Sequence, residues 1–503
     1  MTAALAHAAG PLGGIGLGAL LAARRRQLRL GGLVAVALAC VLLAVYLLPH
    51  GHRAVLVAAG VGGLVAAVVG AALLRRWPWL LPLAALACVP ARIPVTLGST
   101  DGNLLVPLYG VVAALAILLA WELARDVREQ PPELGRLALP LSAFVAWTGL
   151  SLLWTHDLHE GATELLFFFF PFAVLTVGLS RLAWRREWLG WLWAELVAMA
   201  IVFSVVGFYQ YATRDIFWNP KVIVGNAYAS FYRVNSVFWD PSIYGRFLVV
   251  AILASLVLVV HGASRRVAAA AAAAIVVAFA GLVLSFSQSS FVALALGVAL
   301  VAWFAWGRWT LALLGVVAAV VLVAALALPS ARHHSLNSAS GGRFKLVKNG
   351  TVIAAHHPVQ GVGVGAFKKA YAKRTGLKGK EPKAAASHDT PVTVAAETGA
   401  IGFLLFAWLL VTAFAVAFRG FAATFAGRVA LVLGVVLAAI AVHSLFYNAF
   451  FEDPMTWGVF GLAPLGAAAV VRERVSERQR RGAAPRPAAV AAPQAGRSRA
   501  EAR

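Results

Sequence analysis

The sequence contains few charged residues and almost no cysteine. Only 13% of its 503 residues are Asp, Glu, Lys or Arg, whereas about a quarter of the residues in a soluble globular domain are charged. A soluble globular protein of this size is therefore excluded. The two cysteines, Cys40 and Cys88, both lie in apolar runs without metal-ligand spacing. They indicate core packing rather than a redox or metal site.

Acidic residues are also scarce, and apolar ones dominate. The chain has 20 Asp and Glu against 43 Lys and Arg, and 61% of its residues are apolar. Apolar runs of a length that crosses a hydrocarbon core of roughly 30 Å recur throughout. We therefore predict an all-α polytopic membrane protein of about 12–15 transmembrane helices. Its basic residues then set the orientation of the chain in the membrane and attract anionic lipid, and nucleic acid is not expected as a partner.

The N-terminus has no Lys or Arg before its first apolar run, unlike a cleaved signal peptide, so we predict a retained first span. The fifteen predicted spans are 4–22, 30–49, 54–74, 78–95, 103–122, 136–154, 162–180, 187–211, 241–262, 267–285, 289–306, 309–328, 395–418, 428–448 and 455–471.

The turns between these spans differ in charge. Arginines gather in every second turn and in the C-terminal tail, while the turns 96–102 and 155–161 carry no Lys or Arg. By the positive-inside rule the arginine side is cytoplasmic, which puts the N-terminus outside and the C-terminus inside. The resulting segments are N-terminal transmembrane helices at 1–211, an outer loop at 212–240, central transmembrane helices at 241–328, a large basic extracytoplasmic loop at 329–394, C-terminal transmembrane helices at 395–471 and a disordered cytoplasmic tail at 472–503.

The loop 329–394 carries eleven Lys and Arg against two acidic residues. It is either a receptor for anionic groups or a solvated loop that attracts lipid headgroups. Its stretch GRFKLVKNG predicts an amphipathic surface helix, and HHPVQGVGVGAF predicts a tight turn whose backbone could approach a ligand closely. The Gly-x-Gly pattern follows no βαβ unit, so a dinucleotide site is not expected.

Polar residues near the starts of two central spans are candidates for ligand contact. Arg233 is either an interfacial anchor or a ligand contact. Arg246 lies about two turns inside a span, where a charge faces a polar cavity or a partner, and Asp240 is the partner nearest in sequence. Gln288, in SFSQSSF, lies at an outer turn where polar residues also serve as helix caps.

The segment SHDTP, residues 387–391, predicts the start of a helix. His388 would then lie at the outer interface, where the positive end of the helix favours a neutral imidazole that can act as a general base. Glu397 lies two and a half turns deeper, followed by Gly399 and Gly402, which permit close helix contact. The histidines of this region have no spacing that predicts a metal site.

Four stretches occur in an order found in one family: RVNSVFWDPSIYGRFL, LSFSQSSFVALALG, GRFKLVKNGTVIAAHHPVQGVGVGAFKKAY and SHDTPVTVAAETGAIGFLLF. Together they resemble the O-antigen ligase and O-antigen polymerase superfamily of bacterial inner-membrane proteins. The resemblance covers roughly 210–420.

The resemblance implies a metal-independent glycosyltransferase of the GT-C-like architecture that uses no cofactor. Its histidine, the proposed base, corresponds to His388, and its two diphosphate-binding arginines correspond to Arg233 and Arg343. This sequence departs from the family at two positions. Asp389 replaces the usual Asn, and Ser242 replaces the Asn that follows the proline corresponding to Pro241. Gln288 stands where the family often has Arg, a loss for which Arg246 could compensate. The full set of predicted substrate-binding residues is Arg233, Arg246, Arg343, Asp240, Gln288 and Lys345, with Asp389 and Glu397 in supporting positions.

Together these expectations predict an enzyme that transfers a glycan at the outer face of the bacterial cytoplasmic membrane. The donor would be an undecaprenyl diphosphate-linked glycan and the acceptor a glycan, lipid or protein, with membrane lipid around the chain. Ligase and polymerase share donor and base, so the residues leave that choice open. The alternatives are a transporter or flippase of a lipid-linked glycan and a non-catalytic scaffold for envelope assembly.

Overall fold

The computed structural model describes the chain except for a few short segments and two longer ones. The described residues are 3–47, 53–97, 100–125, 133–183, 185–229, 231–262, 264–310, 312, 315, 343–376, 387–419 and 424–483.

The first half of the chain is a series of helices interrupted by one hairpin. The elements are α1 (Ala3–Ala22), α2 (Arg26–Leu47), α3 (Arg53–Arg76), α4 (Leu80–Ala87), β1 (Ile93–Leu97), β2 (Thr100–Leu104), α5 (Val106–Arg125), α6 (Ala138–Leu150), α7 (Leu158–Glu164), α8 (Phe170–Ser180) and α9 (Arg186–Thr213). Strands β1 and β2 pair antiparallel, with Ile93 opposite Leu104. A π-helical turn, Leu165–Phe169, joins α7 to α8.

The described residues of the second half form helices and the turns between them, without a strand. Its helices are α10 (Pro220–Tyr228), α11 (Pro241–Val260), α12 (Arg265–Ser285), α13 (Gln288–Trp306), α14 (Arg343–His356), α15 (Phe367–Thr375), α16 (Thr390–Phe418), α17 (Phe425–His443) and α18 (Pro454–Ala483).

Twelve helical segments among the described residues are long and apolar enough to cross a membrane. The protein is therefore an all-α polytopic membrane protein, as predicted. Helix α11 is largely buried, and its Tyr244, Phe247 and Leu253 are fully buried. Beside it, an aromatic cluster joins α6, α16 and the start of α18 through Phe144, Phe406, Phe451 and Trp457.

Three predictions about the spans differ from the structure or lie outside it. Residues 78–95 form no span, because α4 ends at Ala87 and Pro90 precedes the hairpin. The predicted span 309–328 lies almost entirely outside the described residues. In the tail, α18 continues to Ala483, so residues 472–483 are helical where the sequence predicted disorder.

Three helices begin in the same way, with an aspartate followed by proline in the first turn. Asp240 accepts a hydrogen bond from the Ser242 N–H at 2.6 Å and begins α11. Asp389 accepts one from the Val392 N–H at 2.9 Å and begins α16. Asp453 accepts one from the Met455 N–H, also at 2.9 Å, just before α18. These caps satisfy amide groups that a helix start leaves unpaired, and two of them lie at the candidate site.

Candidate active site

Four side chains from three separate segments of the chain come together at one end of the helix bundle. They are Arg233 before α11, Asp240 at the start of α11, Arg343 at the start of α14 and His388 before α16. Asp240 interacts electrostatically with the other three, and Arg343 interacts with both Arg233 and His388. All four were predicted from the sequence, and the structure places them in one cluster.

Arg233 is held on its backbone and on its side chain. The Asn226 side chain accepts from the Arg233 N–H at 3.0 Å and donates to the Arg233 carbonyl at 2.9 Å. The guanidinium Nε donates to the Ser285 carbonyl, 3.0 Å away, at the end of α12. Burial lowers the pKa of Arg233, the Asp240 carboxylate raises it, and the Arg343 charge lowers it. Arg233 is therefore a half-buried, oriented cation rather than a mobile interfacial anchor.

Arg343 is positioned by the amphipathic helix α14, which forms where the sequence predicted it. One face of α14 buries Leu346, Gly350 and Ile353, while Phe344 and Lys348 are exposed. A cation at a helix start faces the positive end of the helix dipole, which is unfavourable. Burial also lowers the pKa of Arg343, and only the Asp240 carboxylate raises it. The helix dipole and burial both disfavour a guanidinium here, and the Asp240 carboxylate opposes them.

His388 lies in the turn that leads into α16. Its φ of 60° places a non-glycine residue in the left-handed region, which costs of order 1–2 kcal/mol. The surrounding turn holds that conformation, because the Ser387 hydroxyl accepts from the Asp389 N–H at 3.0 Å and Asp389 caps the helix. The predicted helix start is thus confirmed.

The imidazole of His388 is half-buried, and its pKa is lowered. Burial is the main cause, the Arg343 charge acts in the same direction, and the Asp240 carboxylate opposes both. The direction agrees with the sequence expectation of a neutral imidazole, but the causes are burial and Arg343. A neutral imidazole can accept a proton from a bound hydroxyl group.

The sequence suggested Asp240 as the partner of Arg246, but the structure shows a different partner. Its Nε lies 2.8 Å from Oδ2 of Asp453, and the two side chains are each only 2% exposed. Asp240 instead caps α11, and its carboxylate faces Arg233 and Arg343. The contacts of Arg246 thus support a structural ion pair between α11 and the start of α18.

Two further predicted ligand contacts lie at the edge of the cluster. Gln288 is the exposed first residue of α13, next to Ser287, whose hydroxyl caps that helix. Lys345 is exposed on α14, two residues after Arg343. The structure places both near the site.

Glu397 is buried below the site and joins two segments of backbone. Its Oε1 accepts from the Phe367 N–H at 3.1 Å, and its carbonyl accepts from the Gly363 N–H at 2.8 Å. Two residues on, Gly399 interrupts α16 with φ 67° and ψ −168°. Glu397 therefore supports the broken part of the helix that begins beside His388.

The glycine-rich turn was expected to approach a ligand, but it packs on protein backbone. Gly361, Gly363 and Gly365 all have positive φ. A Cβ on Gly361 would lie 2.3 Å from the Glu397 carbonyl, and one on Gly363 would lie 2.2 Å from Cα of Thr155. The turn clamps the break in α16 against the segment before α7, and we call residues 361–365 the glycine clamp.

The residues around the cluster that sequence reasoning missed lie at the end of α17 and in the segment between α17 and α18, which Arg92 contacts from before β1. The Tyr447 hydroxyl interacts with Arg233 and Asp240. His443 is fully buried, and its Nε2 lies 3.0 Å from the Ser289 hydroxyl. Arg92 donates to the Glu452 carbonyl at 3.1 Å. The Asp-Pro pair at 453–454 repeats the pattern at 240–241 and was the signal that could have identified this segment.

A known protein family matches the part of the chain that contains two of these clustered residues. Residues 273–407 match the model of the family described as O-Antigen ligase. This match agrees with the resemblance inferred from the sequence, and it supports the O-antigen ligase and polymerase family. The match covers about a quarter of the chain and includes Arg343 and His388, whereas Arg233 and Asp240 precede it. No curated protein matches the chain.

The match to the O-antigen ligase family supports a general function. Proteins of this family transfer glycans at a membrane as ligases or polymerases, with lipid-linked glycan and glycan acceptors as partners. The twelve candidate membrane helices agree with a multi-pass membrane protein of this kind. The general assignment is therefore a membrane glycan ligase or polymerase.

Proposed function

We propose that this protein transfers a glycan from an undecaprenyl diphosphate donor to an acceptor hydroxyl group at the outer face of the bacterial cytoplasmic membrane. The observation that carries the proposal is the cluster of two arginines, one aspartate and one half-buried histidine at the helix starts. A glycosyl diphosphate requires cations for its leaving group and a base for the acceptor, and this cluster offers both.

In the proposed reaction His388 removes the proton from the acceptor hydroxyl group. The acceptor oxygen then forms a bond to the anomeric carbon, and the bond from that carbon to the diphosphate oxygen breaks. Arg233 and Arg343 stabilise the negative charge that develops on the departing diphosphate, since guanidinium groups bind phosphate oxygens in bidentate geometry. The positive charge in this proposal comes from the two arginines rather than from a metal ion.

Helix geometry supports an anionic ligand at the same place. Helices α11, α14 and α16 all begin at the cluster, and each contributes the positive end of its dipole. The starts of α11 and α16 are capped by aspartates, but α14 begins with Arg343 and has no acidic residue in its first turn. An anion bound beside Arg343 would remove the unfavourable pairing of that cation with the α14 dipole.

A flippase remains the competing function, because broken helices and buried charges are typical of transporters. The break at Gly399 and the pair of Arg246 with Asp453 are such features. However, the break is filled by the glycine clamp, and the charged pair is closed and fully buried. These contacts favour a transferase with a fixed site over a flippase whose helices move during transport.

The test follows lipid-linked and transferred glycan in cells and with purified protein carrying His388→Ala or Arg343→Ala. We expect transfer to fall by at least a hundredfold in His388→Ala, as for loss of a general base, while lipid-linked donor accumulates. His356→Ala is the matched control, because His356 is exposed at the far end of α14. Wild-type transfer by both site variants would refute the assignment, and loss of donor translocation instead of transfer would favour the flippase.

A further inference from the structure

A long apolar groove lies between α9, α11, α17 and α18. Its wider part has a volume of 660 Å³ and is lined mainly by aliphatic side chains and Trp193. A narrower part of 170 Å³ continues it, sharing Leu196, Val432 and Leu433 as lining residues. None of the four clustered residues of the candidate active site lines either part.

One end of the groove is strongly positive. Arg186 and Arg428 line it, and the described residues contribute no Asp or Glu to its walls. The nearby Glu187 is exposed and lies outside the lining. Arg428 is held by hydrogen bonds to the His261 and Gly262 carbonyls at 3.0 and 2.9 Å, and its charge therefore stays fixed at the groove.

Three helices begin at this same end. They are α9 at Arg186, α12 at Arg265 and α17 at Phe425. Each directs the positive end of its dipole towards the groove, and no side chain caps the start of α9. Two arginines and three helix starts form an anion site beside an apolar groove.

The apolar part of the groove has the length of one lipid chain. Its lining follows α17 from Phe425 to Val436, which is roughly 16 Å at about 1.5 Å per residue. Half of a hydrocarbon core of roughly 30 Å is the depth of one leaflet. The far end of the groove is lined by Pro454 and Met455, next to the buried Asp453.

We propose that this groove binds one anionic phospholipid, with its phosphate at Arg186 and Arg428 and an acyl chain along α17. The lipid belongs to the leaflet on the arginine-rich side, opposite to the end that carries His388. It is therefore distinct from the glycan donor. A zwitterionic lipid of the same chain length fits the apolar groove but gains less from the positive end.

The experiment measures retention of phosphatidylglycerol and of phosphatidylcholine with identical acyl chains by the full-length protein in neutral detergent, using native mass spectrometry. We expect phosphatidylglycerol to be retained preferentially. Arg186→Gln removes a guanidinium that lies over the Phe425 ring, 4.5 Å from the ring centroid. It should weaken phosphatidylglycerol retention about tenfold, as for one charged contact, and leave phosphatidylcholine unchanged.

A second variant tests the groove itself. Gly190 lines the groove, and a Cβ there meets no atom within 4 Å, so α9 accepts a side chain at this position and Gly190→Leu should extend into the groove. It should reduce retention of both lipids, whereas the matched Gly110→Leu on α5, equally open, should not. If Gly190→Leu does not accumulate, Ala194→Leu replaces it, because Ala194 is exposed one turn further along α9 and lines the same groove.

Several outcomes would overturn the proposal. Equal retention of the two lipids by the wild-type protein would show only an unspecific lipid annulus. Unchanged phosphatidylglycerol retention in Arg186→Gln would show that the lipid phosphate does not bind at the proposed headgroup site. Displacement of phosphatidylglycerol by millimolar inorganic phosphate, with no effect of Gly190→Leu, would show a soluble phosphate site without a lipid chain.

Discussion

Substituting Gly361 by alanine tests whether the glycine clamp holds the candidate active site in place. Gly361 has φ +70°, and a Cβ there would lie 2.3 Å from the carbonyl carbon and oxygen of Glu397. Gly376, at the end of α15, is the matched control, because its φ of +68° is almost the same and a Cβ there meets no atom within 4 Å. The pair separates the cost of backbone conformation from the cost of close contact.

The expected magnitudes follow from these contacts. Alanine at a left-handed position costs of order 1–2 kcal/mol, and Gly376→Ala should lose about that much. In Gly361→Ala the clamp must also move until the new Cβ clears the Glu397 carbonyl. That shift breaks the hydrogen bonds from the Val362 N–H to the Ala396 carbonyl and from the Gly363 N–H to the Glu397 carbonyl. At about 1 kcal/mol each, these bring the expected loss to roughly 3–4 kcal/mol.

The assay is reversible unfolding by SDS in mixed micelles, combined with glycan transfer by the purified variants. Gly361→Ala should lose more unfolding free energy than Gly376→Ala and should also lose transfer activity, because the clamp holds the part of α16 that begins beside His388. Equal losses of stability in both variants would refute the clamp. Full activity in a destabilised Gly361→Ala variant would show that the clamp stabilises the fold without holding the candidate active site in place.

Three further predictions concern charged groups. Burial and the Arg343 charge lower the pKa of His388 from 6.5, so transfer should fall with decreasing pH only below that value. The residual activity of Arg343→Gln should show a higher midpoint in the same pH titration. Arg246→Ala should cost about 3–5 kcal/mol of unfolding free energy by leaving Asp453 buried and unpaired, and the double variant with Asp453→Leu should recover part of the loss. Glu397→Gln keeps an acceptor for a backbone N–H and should stay within about 1 kcal/mol of wild type, whereas Glu397→Ala should lose about 1–3 kcal/mol in the same unfolding titration.

The features that sequence reasoning predicted well are set by neighbouring residues. The helix start at Asp389 follows from a short side chain that can accept a backbone N–H and from a proline in the first turn. The amphipathic helix at Arg343 follows from the spacing of its apolar residues. Such local rules need no knowledge of the rest of the chain, and both features were confirmed.

The features that sequence reasoning missed depend on contacts between distant segments. Arg246 pairs with Asp453, which lies more than 200 residues further along the chain, while the nearer Asp240 is used as a helix cap. The glycines at 361–365 indicate that something approaches the backbone closely, but not whether it is a ligand or the protein itself. Here it is the backbone at Glu397 and Thr155.

The charge balance of the cluster connects these local and distant contacts. Because Asp453 neutralises Arg246, that buried cation adds no free charge to the site. Asp240 remains the counter-ion that acts on both Arg233 and Arg343. One carboxylate between two guanidinium groups leaves a net positive charge, to which a neutral His388 adds none. A dianionic ligand would outcompete Asp240 for the arginines without breaking its cap on α11, which uses the Ser242 N–H. The aspartate can thus orient both arginines before the ligand binds while leaving a net positive charge for the ligand.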